Sequence, residues 1–273
     1  MRPHLRTAEG WRRVSAMSTP DNAELLEVAK AAARAAAPEL VERFARGAVN
    51  VTSKSTDTDL VSEADLAAER TIRALLARER PDDAIMGEEG DDTPGTTGLR
   101  WVVDPLDGTI NYLYGHAHWC ISVACEGRAG VIFDPVRDEL FAVAVGEAPT
   151  LNGRPLPAAS TLTELGSALV ATGFGYAADV RTAQAAIVAR VLPAVRDIRR
   201  AGGAALDLAW AAVGRLDAYY EHGVQPWDIA AGVLLCEGAG LRVEPLAAVD
   251  GLPQGILAAP AALAGELLAL VGP

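Results

Sequence analysis

Residues 101–112 read WVVDPLDGTINY, and the fold turns on how that stretch is interpreted. Trp101, Val102 and Val103 form an apolar lead-in of the kind that enters a sheet, and the strand is expected to stop at Asp104. Pro105 lacks an N–H and favours a turn, and Gly108 allows close backbone approach. Asp104 and Asp107 then stand three residues apart at the end of a buried element. Clustered carboxylates in such a place are costly unless a positive charge sits beside them. Hard divalent cations take oxygen ligands of this type, and Mg²⁺ in particular combines a few carboxylates with substrate phosphate. The competing reading is a solvated Asp- and Gly-rich turn.

The chain has 273 residues, half of them hydrophobic, which is enough for a substantial core. Its net charge of −12 and its lack of any long Lys/Arg run argue against nucleic acid and anionic membranes as partners. Cys120, Cys125 and Cys236 show no CxxC spacing and sit in apolar runs, as buried thiols of a reducing compartment do. No stretch reads as a membrane span, and residues 1–17 lack the apolar core of a secretory signal. They read as a disordered leader, with Met17 as an alternative start and a cytoplasmic location for the protein.

Thr19-Pro20-Asp21 opens a helix with an apolar face of Leu25, Val28, Ala32, Val41 and Phe44, kinked at Pro38 and ended by Gly47. Ser62 caps a second helix whose Ala68, Ile72, Leu75 and Leu76 face the core. Strand character dominates from about 99 to 145. Beyond it come a short strand at 168–172, helices at 182–194 and 204–213, and a strand at 217–222. A helix at 226–239, strands near 241–244 and 256–258, and a helix at 260–271 complete the chain. This order predicts an antiparallel α+β half (18–160) packed on a mixed α/β half (161–273) within one domain.

Three further acidic pieces accompany DPLDGT: GEEG at 87–90, WDIAAG at 227–232, and Asp65 in SEAD. Taken singly, Asp65 and Asp228 read as first-turn helix residues, and Glu88–Glu89 as a solvated pair. The four pieces together, with DLVSEAD (59–65), GFGY (173–176) and DAYYEHGVQPWDIAAG (217–232), resemble the inositol monophosphatase family of Mg²⁺-dependent, lithium-sensitive phosphatases. The likeness runs from about Asp21 to the C-terminus.

The resemblance implies a layered αβαβα sugar-phosphatase-like fold, a homodimer, and two to three Mg²⁺ ions per site. Glu88, Asp104 and the Leu106 carbonyl would hold one ion; Asp104, Asp107 and Asp228 a second; a third, weaker one would lie near Glu88. Asp65, Glu88 and Thr109 become the catalytic residues, with the Thr109–Asp65 pair helping to deprotonate the attacking water. The phosphate would rest on backbone N–H groups at Gly108 and Thr109. A helix start is chemically apt for that purpose. A Thr hydroxyl needs a neighbouring carboxylate to act in proton transfer.

Substrate contacts are implied at Glu221, at the Gly202-Gly203-Ala204 loop, and around Glu88, Leu106, Asp107 and Asp228. Family members commonly carry Ser or Thr where this chain has Gly203, so one substrate hydrogen bond is in doubt. The implied reaction is hydrolysis of myo-inositol 1-phosphate. Alternatives are another sugar phosphate (fructose 1,6-bisphosphate or histidinol phosphate) or a non-catalytic regulatory protein on the same fold. His116 and His118 are expected to be structural or surface residues, since His suits softer metals. Arg199 and Arg200 carry no assigned role.

Overall fold

A computed structural model describes residues 20–46, 52–53, 60–61, 63–249 and 251–272. The leader at 1–17, Thr19, Gly47 and Ser62 lie outside them, so the expectations placed there are not addressed. Helix α1 (Asn22–Arg46) starts behind Asp21, whose Oδ1 accepts the Glu24 N–H at 2.7 Å. It runs through Pro38, and its buried face is Leu25, Leu26, Ala29, Ala32, Ala33, Ala36, Ala37 and Leu40. Val41 was expected on that face but is 41% exposed. Leu40 already fills the 3.6-residue stripe, and the next position turns outward.

Short strands β1 (Thr52–Ser53) and β2 (Leu60–Val61) pair antiparallel. Helix α2 (Glu63–Glu79) buries Ala68, Ile72, Leu75 and Leu76 as expected. A seven-stranded sheet follows: β3 (Ala84–Gly87), β4 (Arg100–Asp107), β5 (Cys120–Cys125), β6 (Ala129–Asp134), β7 (Glu139–Ala144), β8 (Thr150–Leu151) and β9 (Arg154–Pro155). The strands lie side by side in that order. β3 and β4 are parallel and the other neighbours antiparallel. Helix α3 (Thr109–Leu113) interrupts between β4 and β5.

β4 does not stop at Asp104. It continues to Asp107 with a register shift against β5 between those two residues. A bulge admits Pro105, which has no N–H to give the ladder. Both faces of this sheet are covered, which explains its continuous apolar runs. Along β5, Ile121, Val123 and Cys125 pack toward α1 and α2, while Cys120 and Ala124 pack the opposite way. All three cysteines are buried and free.

The second sheet has five strands in the order β11-β10-β12-β14-β13. They are β10 (Leu169–Thr172), β11 (Asp197–Arg199), β12 (Ala218–His222), β13 (Arg242–Leu246) and β14 (Gly255–Ala259). Helix α4 (Ala178–Val191) begins four residues before the expected 182, and α5 (Ala204–Ala212), α6 (Pro226–Gly238) and α7 (Ala261–Val271) match closely. The α5–α6 pair lies between the two sheets, meeting Ile132 and Phe141 on one side and Tyr219 and Ala258 on the other. On the outer face of the second sheet, Tyr220 and Leu257 pack with Ile187 of α4 and Leu263 of α7. The layers are therefore α1/α2, sheet, α5/α6, sheet, α4/α7, an α+β sandwich of the expected αβαβα kind. Among the described residues no helix is long and apolar enough to cross a membrane.

Candidate active site

The end of β4 is fixed by its own backbone and by α1. Asp104 Oδ1 accepts the Leu106 N–H at 2.9 Å, which shapes the bulge. Gly108 then turns the chain with φ 90°, and a Cβ there would lie 2.8 Å from the His118 carbonyl oxygen. Only glycine satisfies both the left-handed backbone and that close approach. The α3 turn beyond it is held by Tyr112, whose hydroxyl donates to the Leu40 carbonyl at 2.8 Å. The Tyr112, Phe44 and Trp119 rings pack at 5.1–5.3 Å beside it. Trp119 is thus a core residue.

Each of the other acids arrives on the end of a different element. Glu88 follows β3, and its N–H bonds the Val103 carbonyl at 3.2 Å. The loop carrying it is clasped by Glu69 of α2, which accepts the Glu89 and Gly90 N–H groups at 2.8 and 2.9 Å. Arg73 Nε donates to the same Glu69 carboxylate at 2.6 Å. Asp228 stands in the first turn of α6, where its Oδ2 accepts the Gln225 N–H at 2.6 Å in a capping box. Asp107 faces the start of α5 and accepts the Ala204 and Ala205 N–H groups at 3.1 and 2.9 Å.

These carboxyls feel one another strongly. Burial, then the charges of Glu88, Asp107 and Asp228, push Asp104 well above the usual carboxylate range. Burial, then Asp107, does the same to Asp228. Asp107 is pushed up to about 6, chiefly by burial and against the opposing influence of His118. The side chains of Glu88 and Asp104 share a hydrogen bond.

The acids are not, however, gathered into a closed cage. Among the described residues no group of three His, Cys, Asp or Glu is placed tightly enough to hold an ion. Asp104, Asp107 and Asp228 each turn an oxygen toward a backbone N–H group. A carboxylate oxygen has two lone pairs, so those bonds leave capacity for a cation. Four mutually repelling carboxyls with the Leu106 carbonyl nearby form an all-oxygen donor set. Those oxygens suit a hard divalent ion such as Mg²⁺; the Cys120 thiol, 3.6 Å from Asp107 Oδ2, is a soft atom beside them.

Thr109 and Asp65 meet where α3 and α2 begin. The Thr109 hydroxyl lies 3.1 Å from Asp65 Oδ1 and 3.1 Å from the Leu106 carbonyl oxygen. Both residues are buried. The substrate-side residues come from the other sheet. Glu221, at the end of β12, accepts the Tyr219 hydroxyl proton at 2.7 Å and is pushed up to about 7, mainly by burial. A Cβ on Gly203 would lie 3.1 Å from Asp107 Oδ2, so the loop does reach the acidic centre. The Ala204 N–H of that loop bonds Asp107.

Sequence reading missed three residues that tie this assembly together. Glu69 holds the Glu88 loop, as described. Asn111 Nδ2 lies 2.8 Å from both the His118 and Ala201 carbonyl oxygens, joining the turn after α3 to the loop before α5. Asp207 Oδ1 lies 3.2 Å from His118 Nε2, and neither buried atom has another polar side-chain partner. His118 is therefore a structural residue of the site wall, and His116 is exposed. The only sequence signal was polarity at otherwise apolar positions: Asp207 in the run AALDLAWAA, and Glu69 on the buried face of α2.

The inositol monophosphatase family model matches residues 21–271. The chain belongs to this family. Its relatives within the inositol monophosphatase family include the inositol-1-monophosphatase of Mycobacterium bovis, 40% identical over 93% of this chain and 96% of that protein. The Nus factor SuhB of Xylella fastidiosa is 45% identical over 67% of each chain. Among solved structures, the extragenic suppressor protein suhB of Bartonella henselae superimposes with a TM-score of 0.83 at 32% identity. That match covers 91% of this chain and 98% of the other. Family membership makes this a phosphatase scaffold, with the acidic centre at its layer seam.

Proposed function

We propose that the protein is a Mg²⁺-dependent phosphomonoesterase that hydrolyses myo-inositol 1-phosphate to inositol and phosphate. The observations that support this reading are the influence that Glu88, Asp107 and Asp228 exert on the buried Asp104 and the buried Thr109–Asp65 pair at 3.1 Å. Glu88, Asp104, Asp107, Asp228 and the Leu106 carbonyl would hold the Mg²⁺ ions. When bound, such ions screen the phosphate, acidify water and stabilise the leaving alkoxide.

The chain's own residues supply the rest. Asp65 fixes the Thr109 hydroxyl so that Oγ1 can pass the proton of the attacking water toward a carboxylate. Glu88 works in the same proton path. Gly108 and Thr109 give N–H groups to the phosphate, and Glu221, braced by Tyr219, orients polyol hydroxyls. The α5 start fixes Asp107, so Gly202, Gly203 and Ala204 shape the substrate wall from behind that carboxylate. The same reading takes the protein to be cytoplasmic and homodimeric.

A second reading is favoured by one finding, the 45% identity to a protein named Nus factor. It makes the chain a regulatory binding protein of the transcription machinery that retains the phosphatase fold. The two separate in one assay: phosphate release from a panel of inositol, sugar and histidinol phosphates, with and without Mg²⁺. Mg²⁺-dependent release, fastest from inositol 1-phosphate, supports the enzyme. No release from any ester overturns it in favour of the second reading.

A further inference from the structure

Helix α6 is held tightly on one side and left half open on the other. A Cβ on Gly130 of β6 would lie 2.9 Å from Ala231 Cα, and a Cβ on Gly232 would lie 2.7 Å from Leu208 Cβ of α5. Without those side chains α6 presses close to the first sheet and to α5. Ala231, Leu235 and Cys236 are buried on that side. Pro226, Ile229, Ala230, Val233 and Glu237 recur at helical spacing on another face, and they line a cavity of about 710 Å³. That size lies within the ~300–1,000 Å³ usual for small-molecule sites.

The buried Val102 of β4, Leu234 of α6 and Leu246 of β13 supply more of its apolar lining. The Glu126–Gly127 turn between β5 and β6 and residues 245–248 complete much of the rest. None of the carboxylates assigned to the acidic centre lines this cavity, although Asp228 stands on the same helix.

The charge in the lining has one sign. Glu126 and Glu237 are its ionisable groups, with no Lys, Arg or His among the lining residues. Glu126 is met by Arg100 through bonds of 2.9 and 2.7 Å. Glu237 pairs with no cation among the described residues. It also sits in the last turn of α6, where the helix dipole already carries negative charge, and that turn holds no basic residue. Helices α1 and α2, by contrast, end on arginines. An apolar trough along α6 thus runs about 16 Å, at 1.5 Å per residue, from Pro226 to an unneutralised carboxylate.

We propose that this cavity binds an organic cation with an alkyl chain, the chain lying along α6 and the ammonium group at Glu237. The apolar lining takes the chain out of water, and the head group offsets both the Glu237 charge and the end of the helix dipole. A fatty acid of the same length would bring a second negative charge to that end and be repelled. The proposal stands apart from the phosphomonoesterase reading, since it uses none of the acidic centre.

Calorimetric titration of the full chain with decylammonium, decanol and decanoate, each below its micelle concentration, tests the proposal. Wild type is expected to bind one decylammonium saturably, at least about tenfold more tightly than decanoate. Glu237→Gln should weaken decylammonium about three- to tenfold and leave decanol within about twofold. Val233→Gln, at a half-buried position, should weaken decylammonium and decanol alike by about tenfold, with circular dichroism to verify the fold. No saturable binding of decylammonium, equal binding of decylammonium and decanoate, or unchanged decylammonium binding in either variant would overturn the proposal. So would a Val233→Gln chain that sediments as a smaller species than wild type, because a second copy would then be what covers this face.

Discussion

The Thr109 hydroxyl and the Asp65 carboxylate meet at 3.1 Å although 44 residues separate them in sequence. Each sits in the first turn of its own helix, and each is buried. A buried Asp in a first turn has a structural use as a helix-start charge, but here its oxygen faces a hydroxyl one residue beyond the left-handed Gly108. Thr109→Ala should therefore lower kcat by about 10²–10⁴-fold, the usual worth of a positioned proton-transfer group. Thr109→Ser, which keeps the hydroxyl, should retain most activity. Steady-state phosphate release checks both, with circular dichroism to verify the fold. Near-normal turnover in Thr109→Ala would remove the residue from the proton path.

Gly108 has two independent reasons to be glycine, its φ of 90° and the His118 carbonyl 2.8 Å from any added Cβ. Gly108→Ala is expected to destabilise the protein by about 1–3 kcal/mol from backbone strain, with the contact adding to that. Urea denaturation measures the loss. A variant as stable as wild type would mean that the turn can relax.

Glu69 acts on Glu88 through the loop backbone. Replacing it with Gln keeps the shape but weakens the bonds accepted from Glu89 N–H, Gly90 N–H and Arg73. Hydrogen bonds to a charged group are worth about 1.5–3 kcal/mol each. Glu69→Gln should therefore raise the Mg²⁺ concentration needed for half-maximal rate while leaving KM for the ester little changed. An unchanged Mg²⁺ dependence would show that the loop holds itself.

Acid stability should depend on a group remote from the acidic centre. Burial pushes Asp83 up, but Arg80, Thr97 and Trp101 all donate to its carboxylate and hold it below the usual range. A lowered carboxyl contributes stability that is fully present above its unfolded value, about 3.9. That contribution is lost as pH falls through the lower folded value. Wild type should therefore lose stability as pH falls below about 4, and Asp83→Asn should be less stable at neutral pH with a flatter profile in that range. Urea midpoints at several pH values test this. Parallel profiles would show that Asp83 contributes nothing to the slope.

Much of the architecture was legible in the sequence. Apolar runs bounded by Gly, Pro and Asp marked the strand region of the first sheet, the strands β10, β12, β13 and β14 of the second and the helices α5, α6 and α7, but not β11, whose three residues Asp197–Arg199 carry no apolar run. DPLDGT stood out because acids directly follow a core strand. The errors have local causes. The start of α4 was placed late because Ala178 and Asp179 carry no apolar periodicity, and Ala177 before them gives no side-chain cap. The strand end at Asp104 was misjudged because a bulge hides Pro105 inside β4. Asn111 could not be read at all: its partner Ala201 lies 90 residues away, and one Asn among apolar neighbours carries no local signal. Glu69 showed only its polarity on the apolar face of α2, with nothing local to name its partner, since the backbone it serves comes 20 residues later.

The central claim is that separated carboxylates converge to bind Mg²⁺, and calorimetric titration of Mg²⁺ into the purified protein tests it most directly. The account predicts saturable binding to at least two sites in wild type, with the stoichiometry reduced in Asp104→Asn, the acid whose ionisation the charges of Glu88, Asp107 and Asp228 all oppose. A featureless titration of a folded wild-type protein, or an identical isotherm for Asp104→Asn, would contradict it.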